Sequence, residues 1–323
     1  MLDVRLAEQI ADRYALGDDA VLTGPTARGE QGQMWKLETS LGRWAVKEPF
    51  RRRDEAAIVE AAAFQEAAHD AGVPLPAIVR TVDGRVLADF GDAQVRVYDW
   101  VEFDERSPDL DPVGVGQLVA TIHRVPFAGT EPVDPWFTDP VGADRWDELC
   151  RALAVAGAPF AEEMAEYRHE RVAMEELLEP PTDLRTCHRD LWADNVRRTT
   201  AGELCVIDWD DCGLSDPSQE LCLILYEFGC GDAGRARALY AAYVAAGGPG
   251  RVDRRGNFST VIAQLGHIGE NSCQAWLSAD TPLERERNVA RVHEFATDRP
   301  LTCSVIDEIL DAIAGVVPPT AAR

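Results

Sequence analysis

Residues 187–195, Cys-His-Arg-Asp-Leu-Trp-Ala-Asp-Asn, and residues 205–210, Cys-Val-Ile-Asp-Trp-Asp, are the most informative part of this 323-residue chain. Asp190 and Asn195 are five positions apart, and Asp208 follows Asp190 by 18 positions, after an apolar pair that predicts a short strand. Asp and Asn also favour turns, so these residues could simply flank two strands. Two acids and an amide at fixed spacings are more specific than a lone His-x-Asp, and they indicate a functional site.

This spacing is typical of phosphoryl transfer. Asp190 is expected to accept the proton of an attacking hydroxyl group. Asn195 and Asp208 offer the hard oxygen ligands that Mg²⁺ prefers, and a metal held there neutralises charge on phosphate groups. His188 is interpreted as a structural residue that fixes the loop rather than as a general base.

Two upstream residues are candidate partners of a nucleotide. In a predicted strand over 43–48, alternation places Lys47 on the face of Ala45, from which it could reach phosphates or be a strand-edge charge. Glu60 lies on the apolar arc of a predicted helix over 54–71, where an unpaired carboxylate would be costly. We therefore predict a Lys47–Glu60 ion pair, unless the helical face is mis-phased.

A glycine-containing turn is predicted at residues 26–33, Thr-Ala-Arg-Gly-Glu-Gln-Gly-Gln. The backbone amides at Gly29 and Gly32 could bind phosphate. Two glycines three positions apart are, however, equally typical of an ordinary hairpin.

Together these motifs resemble the aminoglycoside phosphotransferase family, the small-molecule branch of the protein-kinase-like fold. The resemblance is carried by residues 188–195 and 208–210, by Lys47 and Glu60, and by the Gly-Val-Pro-Leu-Pro run at 72–76. It implies an α+β, two-lobed fold with a small antiparallel-sheet N-lobe, residues 1–101, that binds nucleotide. A larger, mainly helical C-lobe, residues 102–323, would carry catalysis and acceptor binding.

The resemblance also implies roles for individual residues. Asp190 would be the catalytic base, and Asn195 and Asp208 would hold Mg²⁺. Lys47 would contact ATP or GTP, oriented by Glu60. Backbone groups near Asp99 and Val101 would receive the adenine ring.

Two departures bear on the acceptor. Arg189 stands where the family commonly has a small residue, as in a protein kinase. However, Asp216-Pro217 opens a predicted helix only eight positions after Asp208, which leaves no room for a peptide-docking loop. We therefore expect a small-molecule acceptor and no protein substrate, with Asp216 as the N-cap of that helix.

A polar stripe on the predicted helix 258–277 is the candidate acceptor surface. Its members carry amide, imidazole or carboxylate groups and no positive charge: Gln264, His267, Glu270, Asn271 and Gln274. Such groups would suit the hydroxyl and ammonium groups of an aminated sugar, but the stripe could equally face solvent or another helix. Asp194, Asp210 and Glu227 could add negative potential near the acceptor, although Asp210 could instead only buttress the loop.

The periodicity elsewhere separates a strand-rich first hundred residues from a helical remainder. Strands are predicted over 34–39, 43–48, 85–89, 94–101, 184–187 and 204–207. Beyond residue 102, helices are predicted over 112–124, 143–156, 161–178, 219–228, 235–246, 258–277, 283–296 and 303–314.

Composition excludes several function classes. The 56 acidic and 32 basic residues give a net charge of −24, which disfavours nucleic acid and anionic membrane surfaces. The charge fits a cationic small molecule, although diffuse acidity also simply confers solubility. Eight cysteines without a Cys-x-x-Cys pair, and no predicted signal peptide or membrane span, favour a reduced, cytoplasmic protein. The strand edges of the small lobe are compatible with a monomer or a homodimer.

We therefore expect Mg²⁺-dependent transfer of the γ-phosphate of ATP to a hydroxyl of a small aminated acceptor, first of all an aminoglycoside-type antibiotic. One alternative is a kinase of an amino sugar such as glucosamine or of choline-like alcohols. A nucleotide-binding module without turnover is disfavoured because five core residues are all present: Lys47, Glu60, Asp190, Asn195 and Asp208.

Overall fold

The structure, a computed structural model, describes residues 2–317 except 30, 131, 230 and 299. Its helices are α1 Ala7–Tyr14, α2 Glu55–Asp70, α3 Pro112–His123, α4 Ala143–Ala156, α5 Ala161–Glu175, α6 Pro217–Gly229, α7 Ala233–Ala245, α8 Ser259–Leu277, α9 Pro282–His293 and α10 Cys303–Ile313. Its strands are β1 Val21–Arg28, β2 Gly32–Thr39, β3 Gly42–Pro49, β4 Ile78–Val79, β5 Ala88–Phe90, β6 Ala93–Asp99, β7 Arg185–Cys187, β8 Val196–Arg198, β9 Leu204–Val206 and β10 Gly213–Ser215.

The chain divides into two compact units. The first comprises Met1–Ser107, Val125–Glu131 and Ala193–Cys212, and the second comprises Pro108–Arg124, Pro132–Trp192 and Gly213–Arg323. The units therefore interleave along the chain, whereas the sequence suggested one boundary between 1–101 and 102–323. Two later segments belong with the first unit because Glu60 accepts a hydrogen bond from the Thr130 amide, and the Val206 amide donates to the Pro74 carbonyl.

An antiparallel sheet forms the centre of the first unit. Its strand order is β1-β2-β3-β6-β4, with β5 also paired to β6. Alternate residues on the strands point into an apolar core, in which Leu37, Val46, Val95 and Val97 are fully buried. The Tyr14 hydroxyl on α1 donates to the Val95 carbonyl at 2.9 Å. Lys47 lies on the opposite face of β3 from Val46, as predicted.

The second unit is mainly helical, and with the sheet of the first unit this confirms the predicted α+β class. α6 and α8 lie at its centre, since most of their residues are buried. Two short strands, β7 and β10, pair in antiparallel orientation and bring Cys187 opposite Gly213. None of the helices formed by the described residues combines the length and apolar character needed to span a bilayer.

Helix α2 corrects the predicted phase of its buried face. Asp54 caps the helix by accepting the Ala56 amide, so the predicted bounds hold. However, Ile58 and Ala62, which lie on the opposite side of the helix from the predicted apolar arc of Glu60, pack against Val86 and Leu87. The Ala-rich sequence gives a weak periodic signal, which is why the phase was misread.

The predicted strand over 85–89 is displaced in the structure, where β5 covers Ala88–Phe90. Val86 and Leu87 are buried without being part of a strand. Five cysteines are buried, two are partly exposed and none of these seven forms a disulfide; Cys230 lies outside the described residues.

Candidate active site

The sequence stretch 187–212, which holds the predicted site residues Asp190, Asn195 and Asp208, is divided between the two units. Residues 187–192 belong to the second unit and residues 193–212 to the first.

A hairpin in the first unit brings the two predicted metal ligands to the same end. Strands β8 and β9 pair Val196 with Val206, and the Ile207 amide then donates to the Asn195 carbonyl at 2.9 Å. Asn195 therefore precedes one strand at the point where Asp208 follows the other. Asp208 has a left-handed backbone, with φ of 58°, which a non-glycine residue rarely adopts and which is often found at functional sites.

Lys47 forms ion pairs with two acids that follow β9. Its Nζ lies 2.6 Å from Asp208 Oδ1 and 2.8 Å from Asp210 Oδ2. Residues 161 positions apart in sequence thus meet in one cluster. The Asp208 side chain is 44% exposed, whereas that of Asp210 is 7% exposed.

The predicted Lys47–Glu60 ion pair is wrong in this structure. The Glu60 carboxylate accepts hydrogen bonds from the Thr130 amide, at 2.5 Å, and from the Thr130 hydroxyl. The misread phase of α2 explains the error, because Glu60 was placed at the centre of an arc that is not the buried face. Its predicted contribution to nucleotide binding remains a prediction.

Arg96 and Arg53 complete the cluster, and the sequence analysis missed both. Arg96, almost fully buried on β6, contacts both carboxylate oxygens of Asp210, with Nη2 at 2.6 Å. Arg53 contacts Asp210 and Asp211 at 3.1 Å each. An arginine between two valines in a strand, at residues 95–97, is the signal that could have identified Arg96.

The charges of this cluster shift the pKa values of Lys47 and Asp210. Burial favours the neutral form of Lys47, but Asp210 and then Asp208 outweigh it and raise the pKa of the ammonium group above its usual value. Burial likewise opposes ionisation of Asp210, yet Lys47 and Arg96 lower its pKa below the usual range. Lys47 and Asp210 are therefore both charged at neutral pH.

The second unit holds the backbone next to Asp190 from two sides. Arg189 also has a left-handed backbone, with φ of 67°. Its amide donates to buried Glu220 on α6, and its carbonyl accepts from Gln264 Nε2 on α8 at 2.7 Å. The Asp190 amide donates to His188 Nδ1 at 3.3 Å, and Asp190 itself is partly exposed. This supports the interpretation of His188 as a residue that fixes the loop.

Glu220 belongs to a buried network that crosses three helices. Its Oε2 accepts from His123 Nε2 at 2.6 Å, and His123 Nδ1 lies 2.8 Å from the Tyr243 hydroxyl. Burial, the largest single effect, raises the pKa of Glu220, but the hydrogen bond from His123, the charge interactions with His123 and His188 and the hydrogen bond from the Arg189 amide together lower it more, so that the net shift is downward. The ligand atoms of His123, Cys187 and Glu220 lie within 4.8 Å of one another, but hydrogen bonds already occupy both His123 nitrogens.

The side chain of Arg189 packs within the second unit. Its guanidinium lies 4.6 Å from the centre of the Phe137 ring. A Cβ on Gly213 would lie 2.6 Å from Arg189 Cζ, so a glycine there makes room for this large residue. The sequence alone did not reveal this pairing.

Asp216 caps helix α6, as predicted. Its Oδ1 accepts the Ser218 amide at 2.8 Å, and its Oδ2 accepts the amides of Thr182 and Asp183. Burial raises the pKa of Asp216, but these hydrogen bonds lower it more. The side chain thus connects α6 to the loop before β7.

The backbone amides predicted to bind phosphate lie in the turn between β1 and β2. The Gly29 amide donates to the Gly32 carbonyl at 3.0 Å and closes the β1–β2 turn, which is not the expected phosphate contact; Glu30 is outside the described residues. A Cβ on Gly32 would lie 2.7 Å from the Glu48 carbonyl, so Gly32 is needed for close strand packing.

The Asp99 amide donates to the Ala77 carbonyl, whereas the Val101 backbone forms no hydrogen bond with another described residue.

The candidate acceptor residues lie in varied surroundings. Glu270 accepts from Arg145 Nε at 2.6 Å, so α4 supplies the positive charge that the stripe on α8 lacks. His267 Nδ1 lies 3.8 Å from Glu270 and its ring stacks on Trp136, while Asn271 is exposed.

The other three candidate acceptor residues are more constrained. Glu227 is buried on α6, and Asp194 forms an ion pair with Arg106 at 3.1 Å. The contacts of Asp210 favour the buttressing alternative, because its carboxylate is occupied by Lys47, Arg53 and Arg96. Contact of these residues with an acceptor remains a prediction.

Comparison with known proteins identifies the family. The model of the phosphotransferase enzyme family, APH, matches residues 25–256. This match covers more than half of the chain, which therefore belongs to that family and is a phosphotransferase. No curated protein matches the sequence.

Several solved structures are similar over nearly the whole chain. Spectinomycin phosphotransferase APH(9)-Ia, in complex with ADP and spectinomycin, is 14% identical with a TM-score of 0.70, covering 97% of this chain and 98% of that one. An aminoglycoside phosphotransferase from Alicyclobacillus acidocaldarius is 17% identical with a TM-score of 0.59 and coverage of 93% and 92%. A microcompartment-associated aminopropanol kinase is 17% identical with a TM-score of 0.57 and coverage of 96% and 98%. These likenesses confirm the predicted fold class.

Proposed function

We propose that this phosphotransferase moves the γ-phosphoryl group of ATP, in the presence of Mg²⁺, to a hydroxyl group of a small aminated acceptor. The observation that carries the proposal is the cluster in which Lys47 Nζ lies 2.6 Å from Asp208, with Asn195 at the same end of the β8–β9 hairpin. A cation and hard oxygen ligands are the groups that bind a nucleotide triphosphate and its metal.

The residues of the chain divide the proposed chemistry between them. Asp190 accepts the proton of the acceptor hydroxyl, and the bonds that hold the Arg189 backbone fix the start of its loop. Asn195 and Asp208 fit Mg²⁺, because both are oxygen donors and the Asp208 carboxylate is partly exposed. The metal would neutralise phosphate charge. Lys47 binds the phosphates. The Val101 backbone forms no hydrogen bond with another described residue, so its polar groups suit an adenine ring.

An aminoglycoside-type antibiotic is the acceptor that we propose first. The similarity to spectinomycin phosphotransferase, at a TM-score of 0.70, supports this class. The net charge of −24 supports a cationic acceptor, which it attracts at long range. The similarity to an aminopropanol kinase supports small amino alcohols as the second class. We also propose a cytoplasmic location, where ATP is available.

The first experiment measures ATP consumption with a panel of aminoglycosides, glucosamine, choline and aminopropanol, with and without Mg²⁺. Mg²⁺-dependent turnover with one antibiotic at low KM supports the first class, and preference for glucosamine or an amino alcohol supports a metabolic kinase. A protein that binds no ATP contradicts the proposed function.

The Asp190→Asn variant tests the base. Because Asp190 is proposed to act on the acceptor proton, we expect kcat to fall by about a hundredfold or more while the Kd for ATP stays near the wild-type value. Steady-state kinetics and calorimetry measure the two quantities, and Asp183→Asn, in the loop before β7, is the matched control. A variant that keeps most of its kcat would show that Asp190 is not the base.

A further inference from the structure

Asp210 occupies an unusual place in the first unit, since one buried carboxylate contacts three cations. Lys47 Nζ lies 2.8 Å from its Oδ2, Arg96 contacts both of its oxygens, and Arg53 Nη1 lies 3.1 Å from Oδ2. Both oxygen atoms of the Asp210 carboxylate are therefore already in contact with cationic side chains. A carboxylate so enclosed is better placed to hold these cations than to bind an acceptor.

The sheet explains why Lys47 and Arg96 reach the same carboxylate. The two residues are direct cross-strand partners in the antiparallel pairing of β3 with β6, so their side chains leave the same face of the sheet side by side. Arg96 holds both oxygens of Asp210 in a two-pronged contact, which fixes the orientation of the carboxylate. The position of Lys47 Nζ is thereby fixed as well.

The two acids that contact Lys47 differ in their exposure to ligands. Asp208 is 44% exposed and, by the proposed function, serves the metal, whereas Asp210 is 7% exposed. Glu60 is engaged with Thr130. Asp210 is thus the acid that can remain on Lys47 when Asp208 turns to the metal.

We propose that Asp210, held by Arg96, is the residue that positions Lys47 for the phosphates of the nucleotide, in the role that the sequence suggested for Glu60. This inference rests on the proposed function. It makes Asp210 a positioning residue, which affects the nucleotide through Lys47 and does not touch it.

A double-mutant cycle on the full-length protein tests the proposal. The variants are Asp210→Asn, Lys47→Met and the two combined, and the readout is the Kd for Mg²⁺-ATP and for adenosine, which has no phosphates, by calorimetry. We expect Asp210→Asn to raise the Kd for Mg²⁺-ATP about tenfold, as for loss of a charge-assisted contact, and to leave that for adenosine unchanged. In the Lys47→Met background, Asp210→Asn should change the Kd for Mg²⁺-ATP by less than about twofold. Asp210 is proposed to act through Lys47, so the effects of the two substitutions are not additive.

Three controls separate positioning from structural damage. Asp211→Asn, in the same turn but in contact with Arg53 and not with Lys47, should leave the Kd for Mg²⁺-ATP near the wild-type value. Glu60→Gln should raise that Kd less than Asp210→Asn does. Arg96→Gln combined with Asp210→Asn removes both buried charges together, so it protects the fold if Asp210→Asn alone is unstable, and it should show the same selective loss of ATP affinity.

The outcomes are distinguishable. An equal loss of ATP and adenosine affinity, a full effect of Asp210→Asn in the Lys47→Met background, or a larger effect of Glu60→Gln would each overturn the inference and leave the proposed function standing. A wild-type protein that binds no Mg²⁺-ATP would overturn the proposed function, and the inference with it.

Discussion

Arg189, which precedes the proposed base Asp190, and Asp208, a proposed metal ligand, both adopt left-handed backbone conformations. Such conformations are costly for residues with a Cβ and persist only where the surroundings enforce them. Glu220 and Gln264 enforce the first through hydrogen bonds to the Arg189 backbone. The turn after β9 and the ion pair with Lys47 hold the second.

Asp208→Ala is expected to abolish the strengthening of ATP binding by Mg²⁺, because the variant lacks the exposed carboxylate proposed to hold the metal. Calorimetric titrations with ATP, with and without Mg²⁺, measure the effect, and Asp211→Asn is the control from the same turn. If Mg²⁺ strengthens binding to the variant as much as to the wild type, Asp208 is not a metal ligand.

Residue types and spacings predicted that Lys47 and Asp208 belong to one site. The structure joins the two residues in an ion pair, although they are 161 positions apart in the sequence. Residue types and spacings were insufficient to predict which acid orients the lysine. Asp210 is selected by the register of β3 with β6 and by Arg96. A register between strands separated by a helix is not encoded in the spacing of a motif.

Among the helices, side-chain caps explain why several boundaries agree with those predicted from periodicity. Asp54, Asp111 and Thr281 each accept an amide of the following turn and mark the start of α2, α3 and α9. The buried face of α2 was less predictable, because its many alanines have little preference for either side. A boundary depends on local hydrogen bonds, whereas a face depends on what the helix packs against.

The contact between α3 and α7 depends on a glycine. A Cβ on Gly116 would lie 2.3 Å from the Leu239 carbonyl oxygen and 3.0 Å from the Tyr243 nitrogen. Both are backbone atoms, so one of the helices would have to move.

We therefore expect Gly116→Ala to destabilise the protein, because overpacking costs ~1–3 kcal/mol and exceeds the gain in helix propensity of ~1 kcal/mol at most. Urea denaturation measures the free energy of unfolding. Val113→Ala, at an exposed position of the same helix, should change it little. A Gly116→Ala variant as stable as the wild type would show that the two helices can separate at no cost.

At the scale of the whole molecule, each unit contains ionised carboxylates buried within it. Asp210 in the first unit, and Asp216 and Glu220 in the second, all have pKa values below their usual range. In each case burial opposes ionisation, and nearby charges or hydrogen bonds outweigh it. These groups therefore link folding to pH.

We expect the free energy of unfolding to fall in acid. A carboxylate whose pKa is lower in the folded protein than in the unfolded chain stabilises the folded protein at pH values above its pKa in the unfolded chain. That contribution is lost as the pH falls through its pKa in the folded protein. For these groups the loss should begin below about pH 5. Urea denaturation over a pH series measures it, and Glu220→Gln should give a shallower decline. Stability that rises as the solution is acidified would contradict this account.

From the sequence alone it was possible to predict the α+β class and most helix boundaries and to name candidate chemistry-bearing residues, because motif spacings, caps and alternation are local properties of the chain. The folded chain was needed to show that Asp210, held by Arg96, contacts Lys47, that Glu60 binds Thr130, and that Glu220 and Gln264 hold the backbone beside Asp190. Each of these contacts joins segments distant in sequence. They depend on strand register, helix phase and the need to satisfy buried charges, which are settled only when the chain packs.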